Sequence, residues 1–287
     1  MGDINSYNKL LYTLTYYLRY FGAFIIIAET VYLLYSNKKA FLKETFANLF
    51  SGVIAVVTQM FVKAYIIFDL HMRVYNNASL YKMEVGWHTF LLGFFMFTFI
   101  QYATHYFNHK VRIFWCLHEV HHSAIHMNAT TGIRTSVFDV ISLDIFYLLM
   151  PLFGIHPIVY LLHYTISKFW GTVIHVNEKI INKIPLLENV ITTPSNHHIH
   201  HARNPQYIDK NFGEVVPWYD MIFKTYAKEN EPPLYGTLSV QKEISFWESQ
   251  VHEFRKLKKD VSYAGNLKDK INYCFKPPGW QPSQQFK

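Results

Sequence analysis

Charge is scarce in this chain, and cysteine nearly missing. Asp, Glu, Lys and Arg make up 16% of 287 residues, against about 25% in ordinary soluble chains. Because the shortage falls in long uncharged runs, it argues against a conventional soluble domain and for the membrane class. Two cysteines, Cys116 and Cys274, exclude a disulfide framework and a thiolate zinc site; a transition metal here would be held by nitrogen. No nucleic-acid motif accompanies the excess of 27 Lys and Arg over 20 Asp and Glu. That excess therefore reads as a cytoplasmic or lipid-facing surface, with no nucleic-acid partner. No Gly-rich dinucleotide motif is present either. The opening residues lack the basic start, apolar core and small-residue cleavage site of a secretory leader. MGDINS fits the myristoylation pattern at Gly2 and Ser6, but the pattern is short and carries little weight.

What the chain has in abundance is aromatic residues, 24 Phe and 21 Tyr, and 16 His. The histidines are patterned. His105 and His109 are four apart; His118, His121 and His122 repeat at i, i+3 and i+4; and His197, His200 and His201 repeat that second spacing in SNHHIHH. On a helix these spacings put the imidazoles on one face, where they can converge on a point. Chance would give roughly 0.05 copies of His-x-x-His-His in such a chain, and there are two. A solvated His-rich loop would not need the same spacing twice.

Three apolar stretches precede the last cluster: Phe21 to Tyr35 with a Tyr-rich flank, Phe46 to Val62 continuing past Lys63, and Gly86 to Phe107. Each approaches the roughly 20 residues that cross a bilayer. Ile145 to Ser167 is also uncharged, but Pro151, Gly154 and Pro157 predict two shorter helices bent at FGIHP, a hairpin that dips in and returns and then runs on to His175. Placing the Lys38, Lys39 and Lys43 loop in the cytoplasm brings every histidine motif to that face. The expected fold is an all-α integral membrane bundle of about four to five helices, three spans plus the proline-broken hairpin, under a cytosolic His-rich cap. The organisation is a single unit: spans over about 20–107, a histidine segment over 108–136, the hairpin over 137–176, and cap and tail over 177–287. Val240, Ile244, Trp247, Val251 and Phe254 predict an amphipathic helix near the end.

The eight patterned histidines, with His175 as a ninth candidate, are too many for one tetrahedral ion and suit two. Imidazole binds iron, zinc, copper or nickel, so the ligand set does not name the metal. At the ends of apolar helices, such a pair suits redox work on a lipid. The remaining histidines read more blandly. His71, His88 and His252 are surface or packing residues; His126, His156 and His163 lack the spacing; His198 points off its neighbours' helical face. Cys116 reads as a small buried hydrophobe. Glu119, Asn128, Arg134 and Asp209 are polar positions able to orient ligand imidazoles. A metal transporter or storage protein would place ionisable groups along its spans; Glu29 is the one clear acid there.

The ordered boxes HYFNH, HEVHH and HHIHH resemble those of the fatty acid hydroxylase and sterol desaturase superfamily of membrane di-iron enzymes. NATTGIR, TPSNHHIHHARNP, IDKNFG and PPGW look like its ether-lipid monooxygenase branch. The likeness runs from about Gly86 to the C-terminus. It implies that His105, His109, His118, His121, His122, His175, His197, His200 and His201 are ligands of two iron ions. It also implies O2 as co-substrate, a membrane lipid as substrate, and an external electron donor, either tetrahydrobiopterin or an electron-transfer protein. The implied activity is hydroxylation of a lipid C–H bond, with desaturation as the alternative outcome at the same centre. Asn196 departs from the pattern where relatives often carry another histidine.

Overall fold

The computed structural model describes residues 4–36, 39–62, 67–139, 143–181, 183–242 and 244–282. Gly2, Lys38, Lys63 and residues 140–142, which entered the reading above, lie outside them. Among the described residues the chain is all-helical, with an isolated antiparallel bridge, Ala202 to Tyr235, and no strand.

Helix α1 (Ile4–Tyr35) is, among the described residues, the one helix long and apolar enough to cross a bilayer. Its Phe21, Phe24 and Ile27 face outward, while Gly22, Glu29 and Leu33 are buried. It packs on α7 (Pro157–Ile174) and α2 (Lys39–Val62). Glu29, alone in an apolar run, earns its burial by accepting two backbone N–H bonds, from Ala129 at 2.5 Å and Asn177 at 2.7 Å. Helix α2 uses polar groups in the same way. Asn48 Nδ2 donates to Thr130 Oγ1, and Ser51 Oγ to the Thr135 carbonyl, fixing the NATTGIR turn.

The short α3 (Phe68–Asn77) leads to α4 (Trp87–Lys110), which begins where Gly86 N–H donates to Thr89 Oγ1. The helix ends because Val111 is extended, and α5 (Arg112–His122) starts at once. After a 3-10 turn at Leu143–Leu148, the tiny α6 (Leu149–Leu152) stops at the FGIHP bend. Gly154 has φ of +88° there, and a Cβ on it would sit 1.7 Å from the Tyr81 carbonyl oxygen, so no other residue fits. Pro157 then opens α7, with His156 Nδ1 accepting the Ile158 N–H. Phe97, Ile100, Met150, Ile155, Ile158 and Val159 form the core between α4, α6 and α7; full burial of such side chains is worth about 1.5–3 kcal/mol each.

Irregular chain then carries two short helices, α8 (Pro194–His200) and α9 (Trp218–Ile222). The closing helix does not follow the expected frame. Helix α10 spans Phe246–Tyr263, capped by Ser245, and buries Ser249, Gln250, Glu253 and Leu257 while Trp247 is exposed. Val240 is buried, but in a turn. The face is set by its partner: α10 packs Phe254, Leu257 and Val261 on Cys116 of α5, and beside them the Arg112 guanidinium binds Glu253 and Asp260, so the apolar stripe is shifted toward the C-terminus and shares its face with a buried ion pair. Helix α11 (Leu267–Phe275) completes the chain.

Candidate metal centre

Four elements deliver imidazoles to one place. Helix α4 contributes His105 and His109 from successive turns, and α5 contributes His118, His121 and His122. His175 is the residue that ends α7, and α8 supplies His197 and His200, with His201 at its C-cap. The register of α8 is fixed at its start, where Pro194 occupies the first turn and the Thr193 side chain accepts the Asn196 N–H. Asn196 bonds Thr193 and Tyr226 instead of turning toward the imidazoles.

The nine imidazoles fall into two nests. His105, His109, His118, His122 and His200 form one; His121, His175, His197 and His201 form the other, and within each the ring nitrogens lie within 4.8 Å of one another. In the first nest His105 Nε2 is 2.9 Å from His118 Nε2, and His122 Nε2 is 3.1 Å from both His109 and His118 Nε2. In the second, His175 Nε2 lies 3.2, 3.0 and 3.2 Å from the Nε2 atoms of His121, His197 and His201.

Proton accounting tests whether these nests suit metal ions. Four rings point Nδ1 at a backbone carbonyl: His105 at Phe212, His121 at Arg134, His175 at Gly171 and His200 at Lys210. A carbonyl only accepts, so each Nδ1 carries the proton and each Nε2 is a bare lone pair. His175 and His121 therefore turn lone pairs toward each other across 3.2 Å, and His200 Nε2 is buried with no hydrogen-bond partner. Lone pairs crowded into a buried space repel unless a cation lies among them. A donor set of neutral imidazoles, each oriented by a carbonyl behind it, fits transition-metal ions.

Protonation does not relieve the crowding. Burial, reinforced by neighbouring imidazoles, holds His118, His121, His122, His197, His200 and His201 well below the ordinary value of 6.5. At neutral pH their lone pairs are free for ligation.

The four positions read as orienting groups divide evenly. The Arg134 carbonyl takes the His121 proton, and its buried guanidinium donates to Val120 O, Asn48 Oδ1 and Ser123 Oγ. Asp209, at φ +59°, bonds Lys110 and sits 3.5 Å from His109 Nδ1. Glu119, by contrast, accepts from Thr237, Ser239 and His252, and Asn128 from Thr130; neither bonds one of the nine. Among the unpatterned histidines, His163 Nε2 donates to the Phe90 carbonyl and His198 lies beside Tyr235 and Glu178, both away from the nests. Cys116 is buried with Leu257 and Tyr273, its thiol pushed up to about 12 by desolvation.

Several contributors carried no motif. Asp220, raised by burial above its usual carboxylate range, accepts from the Phe212 and Gly213 N–H groups and from Thr225, and so fixes the carbonyl that orients His105. Gly132 lets the NATTGIR turn lie against His175, where a Cβ would come within 3.1 Å of its Nδ1. A lone acid in an apolar run was the available signal for Glu29. Two cavities reach the nests from different sides. One of about 390 Å³ is lined by His105, His118, His121 and His175 with Phe97, Gln101, Tyr147, Lys168 and Glu214. The other, about 300 Å³, touches His109, His122, His200 and His201 beside Trp115 and Lys256.

The structure thus joins apolar helices to two nests of neutral imidazoles, an arrangement suited to metal ions. Residues 90–225 match the family model for fatty acid hydroxylase. The chain is 30% identical to human alkylglycerol monooxygenase over 85% of this chain and 54% of that protein, and 27% identical to the Danio rerio alkylglycerol monooxygenase over the same shares. It is also 26% identical to the Delta(7)-sterol 5(6)-desaturase of Saccharomyces cerevisiae, over 70% of this chain and 52% of that one. The chain thus spans about half the length of the relatives it matches. No solved structure matches it.

Proposed function

We propose that this chain is an O2-dependent, integral-membrane di-iron lipid monooxygenase acting on an ether lipid or a related glycerol-based lipid. The observation that carries the reading is the pair of imidazole nests, five and four strong, opening on one cavity. His105, His109, His118, His122 and His200 would hold one iron ion, and His121, His175, His197 and His201 the other. Bound there, the iron pair would supply the activation of O2 and the cleavage of an unactivated C–H bond. Overall, C–H plus O2, two electrons and two protons gives C–OH plus water, so an external donor is required: tetrahydrobiopterin or an electron-transfer protein. The chain's own residues hold and orient. The carbonyls of Phe212, Arg134, Gly171 and Lys210 keep the Nδ1 protons away from the nests. Phe97 and Tyr147 bring an apolar wall to the cavity beside His105 and His121, where a lipid chain would lie out of water.

The reading places α1, α2 and α4 across the bilayer and the broken α6 and α7 hairpin as a dip from one side. It puts the nests at the cytoplasmic face, under a cap built from 177–287. Similarity to proteins named alkylglycerol monooxygenase favours hydroxylation of an ether lipid. Similarity to a sterol desaturase keeps a second outcome, removal of two hydrogens at the same centre. Product mass separates them, with a gain of about 16 for oxygen insertion and a loss of about 2 for desaturation. The test is iron content together with O2- and reductant-dependent lipid oxidation by the purified protein. The double variant His121→Ala, His122→Ala should fall to background; full activity in it would overturn the reading.

A further inference from the structure

The segment at α9, read as part of a soluble cap, presses against the flank of α4 from Tyr102, less than a turn below His105, down to Phe95. Tyr219 Oη donates to the Phe95 carbonyl at 2.8 Å, and its ring lies 5.4 Å from Phe99. Trp218 meets Phe95 at 6.0 Å and Phe223 meets Phe99 at 6.4 Å. At 1.5 Å rise per residue, Phe99 and Phe95 stand about 9 and about 15 Å down α4 from His105. Here the surface turns apolar: Phe95 and Phe99 are each 44% exposed, and beside them Met221, Ile222 and Phe223 are 37, 66 and 53% exposed.

This is a built feature. Asp220, immediately before the exposed residues, is buried and accepts from the Phe212 and Gly213 N–H groups and from Thr225. Lys224 closes the segment at φ +61°, a conformation a lysine adopts only when its surroundings impose it. Three consecutive large apolar side chains held outward are costly in water. They are continuous with the Phe face of a helix that the proposed function places in the bilayer. Lys224 follows them directly, and a lysine stem can keep its ammonium at the headgroups while the neighbouring residues are immersed.

We propose that residues 218–224 form a membrane wedge, in which Met221, Ile222 and Phe223 enter the lipid acyl region beside Phe95 and Phe99 while Lys224 stays at the headgroup level. The occupant of this face is the bilayer itself. The wedge rests on the membrane arrangement proposed above and adds an anchor inside the cap, fastened through Asp220 and Phe212 to His105.

The test uses the full chain in lipid nanodiscs, with Cys274→Ser removing the more accessible thiol. Single spin labels are placed by Ile222→Cys on the wedge, Phe24→Cys on α1 and Lys228→Cys on the cap. Collision with O2 reports lipid, and collision with a water-soluble nickel chelate reports water. The wedge is supported when the label at 222 shifts to oxygen-favoured collision like that at 24, while 228 is nickel-favoured. A nickel-favoured 222 with a lipid-like 24 overturns the wedge and leaves the membrane reading standing. If 24 is nickel-favoured as well, the membrane reading fails and the wedge with it. Shielding of 222 from both reagents would mean a protein partner covers the face, and also overturns the proposal.

Discussion

At the scale of single residues, the chemistry depends on where protons are kept. Asp220 shows how indirect that control is: it touches no imidazole, yet by accepting the Phe212 and Gly213 N–H groups it fixes the peptide whose Phe212 carbonyl accepts from His105 Nδ1. Asp220→Asn replaces one N–H acceptor by a donor and should lower iron affinity by about 10–100-fold, the usual effect of disturbing a ligand's support. Iron titration of the apoprotein would measure it; unchanged affinity would remove Asp220 from the ligand's support. Acid should act in a defined direction. Because burial holds the box histidines well below 6.5 in the folded state, the unfolded chain binds more protons once pH falls below that value. Stability is therefore full above about pH 6.5 and lost progressively below it. Thermal unfolding of the apoprotein from pH 8 to 5 should show a steadily falling midpoint, and a flat profile would contradict the buried, neutral state.

At the scale of elements, α1 is more than a lipid-facing rod. Its Glu29 reaches two backbone amides, one in the turn that lies against His175 and one two residues after it. Glu29→Gln keeps the shape but turns one of the two accepting oxygens into an NH2 that cannot accept, and leaving a buried N–H unsatisfied costs about 1–3 kcal/mol. The expected result is a lower unfolding midpoint with partial loss of iron. Unaltered stability would show that α1 does not tie down this turn. Gly132→Ala should act on the same turn from the other side, since its methyl would come within 3.1 Å of both the Gly171 oxygen and His175 Nδ1. Reduced iron retention, measured after gel filtration, is the expected effect.

The elements also show what could be read in advance. The histidine spacings were legible because helical periodicity converts sequence distance into a shared face, and the structure gathers those eight positions together with His175. The bend at FGIHP was legible from its prolines. One thing was not. The carbonyls that orient the imidazoles leave no mark in a sequence, because every residue has one. The face of α10 was only partly legible: Phe254 packs inward as its spacing predicts, but α5 offers Arg112, whose buried pair with Glu253 brings a charged position onto the same face.

For the whole molecule, the two cavities matter most. They share no lining residue, and each touches four of the nine imidazoles. A bulky substitution in one, such as Gln101→Trp beside His105 in the larger, should therefore raise the KM for lipid while leaving the second face open to a small reagent. Steady-state kinetics at varied lipid and fixed reductant would check this; equal impairment toward both would mean one shared route.

The nests are drawn from adjacent positions on single helical turns: His121 serves one and His122 the other, and likewise His201 and His200. A backbone shift at either turn therefore moves donors of both nests together, which should couple the filling of one half to that of the other. Iron loading should then be all-or-none, with native mass spectrometry finding molecules carrying two ions or none and hardly any carrying one.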